Sequence, residues 1–274
     1  VSSRNVQTRS HGRVQPKKRF GQHFLTSPYY ARRIAEAIQA PADATVLEIG
    51  AGKGFLSGYL LSRFPHLHLV EMDRDIIPIL RDSLGGGGWT LHECNVLDLD
   101  FVKLKAPLHV VGNLPYNIAA LIIKKALMHS PHVASCTFTV QREVAERIVS
   151  GPHSKRNGFL SVFCQFFGSA KILFHVPPGA FFPKPRVESS VVQLRMDGGV
   201  EGRLPREQWE VFFSFVDRGF SARRKMLVNT LGRDGAWKGR IAEYLERTGV
   251  SARVRPEELG VNAWLALYSL VRGQ

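Results

Sequence analysis

Acidic residues are scarce in this 274-residue chain. There are 23 Asp and Glu against 37 Lys and Arg, a formal charge of +14. So large a basic excess points to a polyanionic partner, either nucleic acid or an anionic membrane surface, with a merely soluble basic enzyme as the alternative. Cysteine is nearly absent as well. Cys94, Cys136 and Cys164 are odd in number, far apart and in no CxxC or His/Cys ligand spacing. A disulfide framework and a zinc site are both excluded on that pattern, and all three read as reduced packing residues. No apolar run approaches the ~20 residues of a membrane span, and the first residues lack the apolar core of a secretory signal. A cytoplasmic protein without membrane or metal is expected.

What is present is a chain that is 44% hydrophobic, enough to bury a full-sized core. Residues 1–19 form a separate stretch, with six Lys and Arg, no acid and almost nothing to bury. They read equally as a solvated tail, a basic arm for nucleic acid or an Arg/Ser-rich transit segment.

From residue 20 to 197 short β-rich runs alternate with helical stretches. Ser27-Pro28 opens a helix through YYARRIAEAIQA, and Thr45–Ile49 is a strand followed by a helix from about Phe55. His68–Val70 is the next strand, a helix runs from Ile76 to Leu84, and strands follow at Thr90–Glu93 and Leu108–Val111. That alternation implies a mainly parallel sheet with helices on both faces, a Rossmann-like α/β fold. Beyond Asp197-Gly198-Gly199 the texture changes. WEVFFSFVDRGF, ARRKMLVNTLG, RIAEYLERTG and AWLALYSLVR all carry helical spacing, so residues 198–274 are expected to form a small all-helical domain.

In an open parallel sheet ligands bind beyond the carboxyl ends of the strands, so the residues after each strand carry the argument. The first strand ends in Glu48-Ile49-Gly50-Ala51-Gly52-Lys53-Gly54. The dinucleotide fingerprint GxGxxG fails because residue 55 is Phe, and no Gly-Lys-Ser/Thr makes a P-loop. By itself such a loop is equally a tight turn. About 20 residues on, Glu71 stands where a carboxylate can receive both ribose hydroxyls of a nucleoside. Asn95-Val96 can offer an amide and a backbone N–H to an adenine edge, and Gly112-Asn113-Leu114-Pro115-Tyr116-Asn117 closes the series. Together the four strand ends describe an adenosine-bearing cofactor lying across the sheet.

EIGAGKG resembles the glycine loop of class I S-adenosylmethionine methyltransferases, and NLPY the motif of those that methylate exocyclic amines of bases. RFGQHFL (19–25), VEMDRD (70–75), GNLPYNIA (112–119), QREVAERI (141–148), VPPGAFFPKPRVESSVV (176–192) and FSARRKMLVNTL (220–231) narrow the likeness. In that order they resemble the KsgA-type ribosomal RNA adenine dimethyltransferases, from about residue 16 to the C-terminus.

The resemblance implies S-adenosyl-L-methionine as cofactor. It implies N6,N6-dimethylation of two adjacent adenines in the 3′-terminal hairpin of small-subunit rRNA, with the 30S-type subunit as partner of a monomeric enzyme that serves its biogenesis. On it, His23 and Leu25 close over the cofactor, Gly50 and Gly52 approach its methionine end, Glu71 holds the ribose, Asn95 and Val96 the adenine, and Asn113 sits beside the sulfonium. The family usually has Asp at the position of Asn95. His23 stands where it often has Asn, and residues 153–162 depart from its GSKxYGRLSV segment.

The chemistry of GNLPYN follows from its residue types. Adenine N6 is a poor nucleophile because its lone pair is delocalised into the ring. Acceptors at the Asn113 side chain and the Leu114 carbonyl favour a pyramidal nitrogen. Pro115 fixes φ and restricts the residue before it, while Tyr116 offers a stacking face. Phe181 is expected as a second stacking aromatic and Phe182 as core. Arg223, Arg224 and Lys225, read as helical, and then Lys17, Lys18 and Arg19, are expected to meet phosphates. Two other readings stay open, a nucleic-acid-binding factor like the mitochondrial transcription factors of the same superfamily, and a large-subunit rRNA resistance methyltransferase.

Overall fold

The computed structural model describes Lys17 and residues 21–232, 235 and 237–273. Lys18, Arg19 and the remainder of the basic stretch 1–16 lie outside the described residues. The short strand β1 (Phe24–Leu25) precedes α1 (Pro28–Ala37). Then β2 (Thr45–Ile49), α2 (Phe55–Leu61), β3 (His66–Val70), α3 (Ile77–Leu84), β4 (Trp89–His92), β5 (Leu108–Asn113), α4 (Ala119–Met128) and β6 (Val133–Gln141) build the parallel part. The helices α5 (Arg142–Ile148) and α6 (Phe159–Phe167) lead to β7 (Gly168–Val176), β8 (Phe181–Phe182) and β9 (Ser189–Met196). Last come α7 (Val200–Arg203), α8 (Trp209–Phe220), α9 (Leu227–Leu231), α10 (Lys238–Arg247) and α11 (Val261–Arg272).

Seven strands make one sheet in the order β4-β3-β2-β5-β6-β9-β7. The first five are mutually parallel and β9 runs antiparallel to β6 and β7. Every residue of β2 is buried, as a central strand covered on both faces requires. Its side chains alternate, with Val46 in the apolar layer of α1–α3 and Leu47 and Ile49 in the layer of α4–α6. In α1 the buried residues Ala31, Ile34 and Ala35 repeat at helical spacing, with Pro28 in the first turn. Ser27 enters that helix without a side-chain cap; only its carbonyl is used, by the Ala31 N–H at 3.0 Å.

The C-terminal helices bury aromatic rings against α6. Phe163 and Phe213 lie 4.3 Å apart between centroids, and Phe167 and Trp209 meet edge-on at 5.1 Å. Each such ring contributes roughly 1.5–3 kcal/mol by leaving water, and α8 and α11 thereby share one apolar cluster with α4–α6. The helix expected through ARRKMLVNTLG is shorter than its apolar pattern. Residues 222–226 form a turn closed by Lys225 N–H on the Ala222 carbonyl at 2.8 Å, and only Leu227–Leu231 is helical. Met226 is extended, which ends any helical continuity.

One glycine sets how closely the central strands approach at their carboxyl ends. A Cβ on Gly112 would lie 2.6 Å from the Ile49 carbonyl oxygen, which belongs to the rigid neighbouring strand. Gly58, exposed in α2, has nothing within 4 Å of the same position. Gly112→Ala is therefore expected to cost about 1–3 kcal/mol of stability, whereas Gly58→Ala gains up to about 1 kcal/mol. Urea denaturation of the two variants checks the contrast.

Candidate active site

The carboxyl ends of β2, β3 and β5, with the turn after β4, open onto one cavity of about 270 Å³, close to the lower end of the roughly 300–1,000 Å³ typical of small-molecule sites. Gly50, Gly52, Glu71, Asn95, Val96, Asn113, Leu114, Pro115, Tyr116 and His23 all line it. Ten residues anticipated at the site, from His23 to Tyr116, are thus brought to one crevice by the fold.

At the β2 end, Gly52 has φ +55 and a Cβ there would sit 3.2 Å from the Phe24 ring. Its N–H donates to Glu71 Oε2 at 2.9 Å. The other carboxylate oxygen, Oε1, accepts from the N–H groups of Met72 and Asp73, both at 2.9 Å. Burial nonetheless pushes the Glu71 carboxyl above its ordinary value, the three N–H donors opposing it. Glu71 is thus fixed in orientation by backbone before any ligand arrives.

At the turn after β4, Asn95 Oδ1 accepts from the Leu97 N–H at 3.1 Å and the Asn95 carbonyl from the Asp98 N–H at 2.9 Å. The Val96 N–H makes no hydrogen bond among the described residues and is available to the cavity.

At the β5 end, Asn113 Nδ2 donates to the His23 carbonyl at 2.7 Å, while Oδ1 is buried with no partner. The Leu114 N–H is taken by the Thr139 carbonyl at 3.1 Å, and its own carbonyl receives no hydrogen bond among the described residues. Two acceptors at adjacent residues are therefore left open. The Tyr116 hydroxyl meets Ser189 Oγ at 2.7 Å, and its ring stacks on His23 at 5.2 Å between centroids. Burial holds that phenol above its ordinary value, Ser189 opposing. His23 Nδ1–H donates to the Pro183 carbonyl at 2.7 Å. One histidine thus ties the N-terminal segment, β5 and the segment after β8 together.

Some expectations need correction. Leu25 does not line the cavity; it is buried in the apolar layer opposite Phe181, because β1 pairs antiparallel with β8. That pairing reverses the two phenylalanines: Phe181 is 4% exposed in the same layer and Phe182, expected as core, is 63% exposed. Lys17 carries no free charge for phosphate, since its ammonium reaches Asp73 at 2.5 Å and Asp75 at 2.6 Å. Burial opposes ionisation of Asp73, yet Lys17, the Gln22 amide and the Asp75 N–H together hold its carboxyl below the usual value. Arg223 donates to the Lys155 and Asn157 carbonyls at 2.7 and 2.8 Å, a structural tie to the 153–158 loop. Arg224 and Lys225 are exposed in a turn. Sequence reasoning missed Gly21, Gln22 and Phe24 as cavity residues, although RFGQHFL contains all three. Ser189, the first residue of β9, was missed too.

A family model described as ribosomal RNA adenine dimethylase matches residues 13–272. Among curated proteins, the Ribosomal RNA small subunit methyltransferase A of Alcanivorax borkumensis is 38% identical over 259 residues, 93% of this chain and 90% of its own. That of Thiobacillus denitrificans is 43% identical over 216 residues, 79% of this chain and 84% of its own. Among solved structures, a dimethyladenosine transferase from Plasmodium falciparum superposes with TM-score 0.75 at 20% identity, covering 89% of this chain and 96% of its own. The 23S rRNA methyltransferase ErmE does so with TM-score 0.69 at 24% identity, covering 91% and 99%. At those identities the two structures establish the fold.

Glu48, the fourth residue of β2, enters the sequence reading only as the first residue of EIGAGKG, with no role assigned to it. It is 2% exposed, its Oε2 has no partner, and burial pushes its carboxyl up to about 8. The folded protein keeps this proton until about pH 8, whereas the unfolded chain releases it near its ordinary 4.5. Between those values the unfolded state binds fewer protons, so stability falls as pH rises. Glu48→Gln removes that loss. Its melting temperature relative to the parent is expected to climb steadily from pH 4.5 to pH 8, and a difference independent of pH would contradict a buried neutral acid.

Proposed function

The chain belongs to the ribosomal RNA adenine dimethylase family, and from that premise we propose that it uses S-adenosyl-L-methionine to convert two adjacent adenines of the small-subunit rRNA 3′-terminal hairpin to N6,N6-dimethyladenine. The observation that carries this reading is the unpartnered, buried Oδ1 of Asn113 beside the open carbonyl of Leu114. A buried acceptor without a donor costs free energy unless a ligand supplies one, and an exocyclic amine brings two N–H groups to two acceptors.

The donor set fits the cofactor. The glycine turn at Gly50 and Gly52 admits close approach at the methionine end, Glu71 keeps lone pairs for ribose hydroxyls, and the Val96 N–H suits a ring nitrogen of adenine. When bound, the group supplies an electrophilic methyl on a sulfonium. The protein's part is orientation. Asn113 Oδ1 and the Leu114 carbonyl accept the two amine hydrogens and leave the nitrogen lone pair directed away from the ring. Pro115 has no N–H to compete for those acceptors. Tyr116, held by Ser189 and backed on one face by His23, is placed to stack an extruded base, a contact of roughly 1–3 kcal/mol. No strong base is required, because the amine turns acidic once it is methylated, and rate comes from positioning and preorganised acceptors. Phe181 contributes to this site through packing behind β1, and the exposed Arg224 and Lys225 supply phosphate contact.

The protein is to be incubated with cofactor labelled in its methyl group and with small subunits lacking the modification. Label is expected on adenine N6 of the 3′-terminal hairpin; label confined to the large subunit, or absent, defeats the proposal. Asn113→Ala is expected to lower kcat about 10²–10³-fold with RNA affinity nearly unchanged. Replacing Arg224 and Lys225 by Ala should flatten the slope of log affinity against log salt by about 0.9 per lost phosphate contact. Arg223→Ala should lower stability instead.

A further inference from the structure

Asn95 lines the cavity in the turn after β4, and the turn around it decides which half of the amide is left for a ligand. The Leu97 N–H points at Asn95 Oδ1 at 3.1 Å, and the following turn is closed by the Asp98 N–H on the Asn95 carbonyl. Rotating the amide by half a turn would set Nδ2, a donor, against the Leu97 donor, so the oxygen is held inward. Nδ2 makes no hydrogen bond among the described residues, and Asn95 lines the cavity beside the free Val96 N–H. An aspartate here would cap the same turn with one oxygen and offer the second to the 6-amino group of a purine. Asparagine offers a second donor in its place.

We propose that Asn95 makes the purine subsite indifferent to the 6-amino group, with ring recognition resting on the Val96 N–H and affinity on the ribose and methionine ends. The inference rests on the S-adenosyl reading of the cavity. A donor facing an amine gains nothing from it, whereas a carboxylate gains a charge-assisted hydrogen bond. Asn95 is accordingly a specificity-determining residue that acts on ligand selection rather than on the transfer step.

Calorimetry of the full chain with S-adenosylhomocysteine, and with its analogue carrying hydrogen in place of the 6-amino group, tests this directly. The protein is expected to bind the two within about threefold of each other. Asn95→Asp keeps the turn cap and is expected to bind the amino form about tenfold more tightly than the 6-hydrogen form. A purely structural role would move both affinities together and leave their ratio unchanged, which would overturn the inference. A preference above threefold for the amino form in the parent protein would overturn it too. Failure of both ligands to bind either protein would instead overturn the cofactor reading beneath it.

Discussion

The side chain of Asn113 is anchored by one half of its amide and left open by the other. Nδ2 is held by the His23 carbonyl, and that bond leaves Oδ1 in the lining of the crevice, buried and without a donor. The rest of the site is arranged around this bond. Gly112 lets β5 run close enough to β2 to bring Asn113 to the strand end. His23 is kept in reach by its own hydrogen bond to Pro183 and by stacking on Tyr116, and β1 pairs with β8 to hold the segment on either side. An unsatisfied acceptor in such a rigid frame is a preorganised one, which is the form of electrostatic stabilisation that requires no rearrangement during reaction.

Three buried carboxylates, of which Glu71 lines the crevice, are handled in three ways. Glu48 is buried without a full set of partners and stays protonated up to about pH 8. Glu71 is buried too, yet three backbone N–H groups orient it toward the cavity. Asp73, two residues further, is held ionised by Lys17 and Gln22. Burial is common to all of them, and what separates them is what opposes it: no cation at Glu48, three neutral backbone N–H groups at Glu71, and the Lys17 ammonium at Asp73. Because Lys17 and Gln22 both terminate on Asp73, the segment that carries His23 has an ionic tie besides those through Asn113, Pro183 and β8.

How much of this is legible in the sequence depends on whether a function is local or relayed. Strand ends followed by Gly50, Glu71, Asn95 and Asn113 were legible, because a parallel sheet obliges such residues to meet at one edge. Phe181 and Phe182 were not, since two adjacent phenylalanines point to opposite faces of a strand and only the pairing of β8 with β1 says which is inward. The charges of Lys17 and Arg223 looked free in the sequence. Each is spent within the fold, one on Asp73 and Asp75 and one on two carbonyls of the 153–158 loop. Glu48 was legible only as the first residue of EIGAGKG, because nothing in TVLEI distinguishes an ionised surface acid from a neutral buried one.

By itself the sequence determined the alternation of strands and helices, the identity of the residues at four strand ends and the basic character of the whole, since periodicity, turn residues and net charge are properties of the chain. The tertiary structure decided which polar atoms remain without partners. Hydrogen-bond satisfaction depends on neighbours far apart in sequence, and Asn113 and His23 are 90 residues apart. The inward turn of the Asn95 oxygen is a shorter-range case of the same rule, for the residue type permits either orientation and the Leu97 N–H selects one.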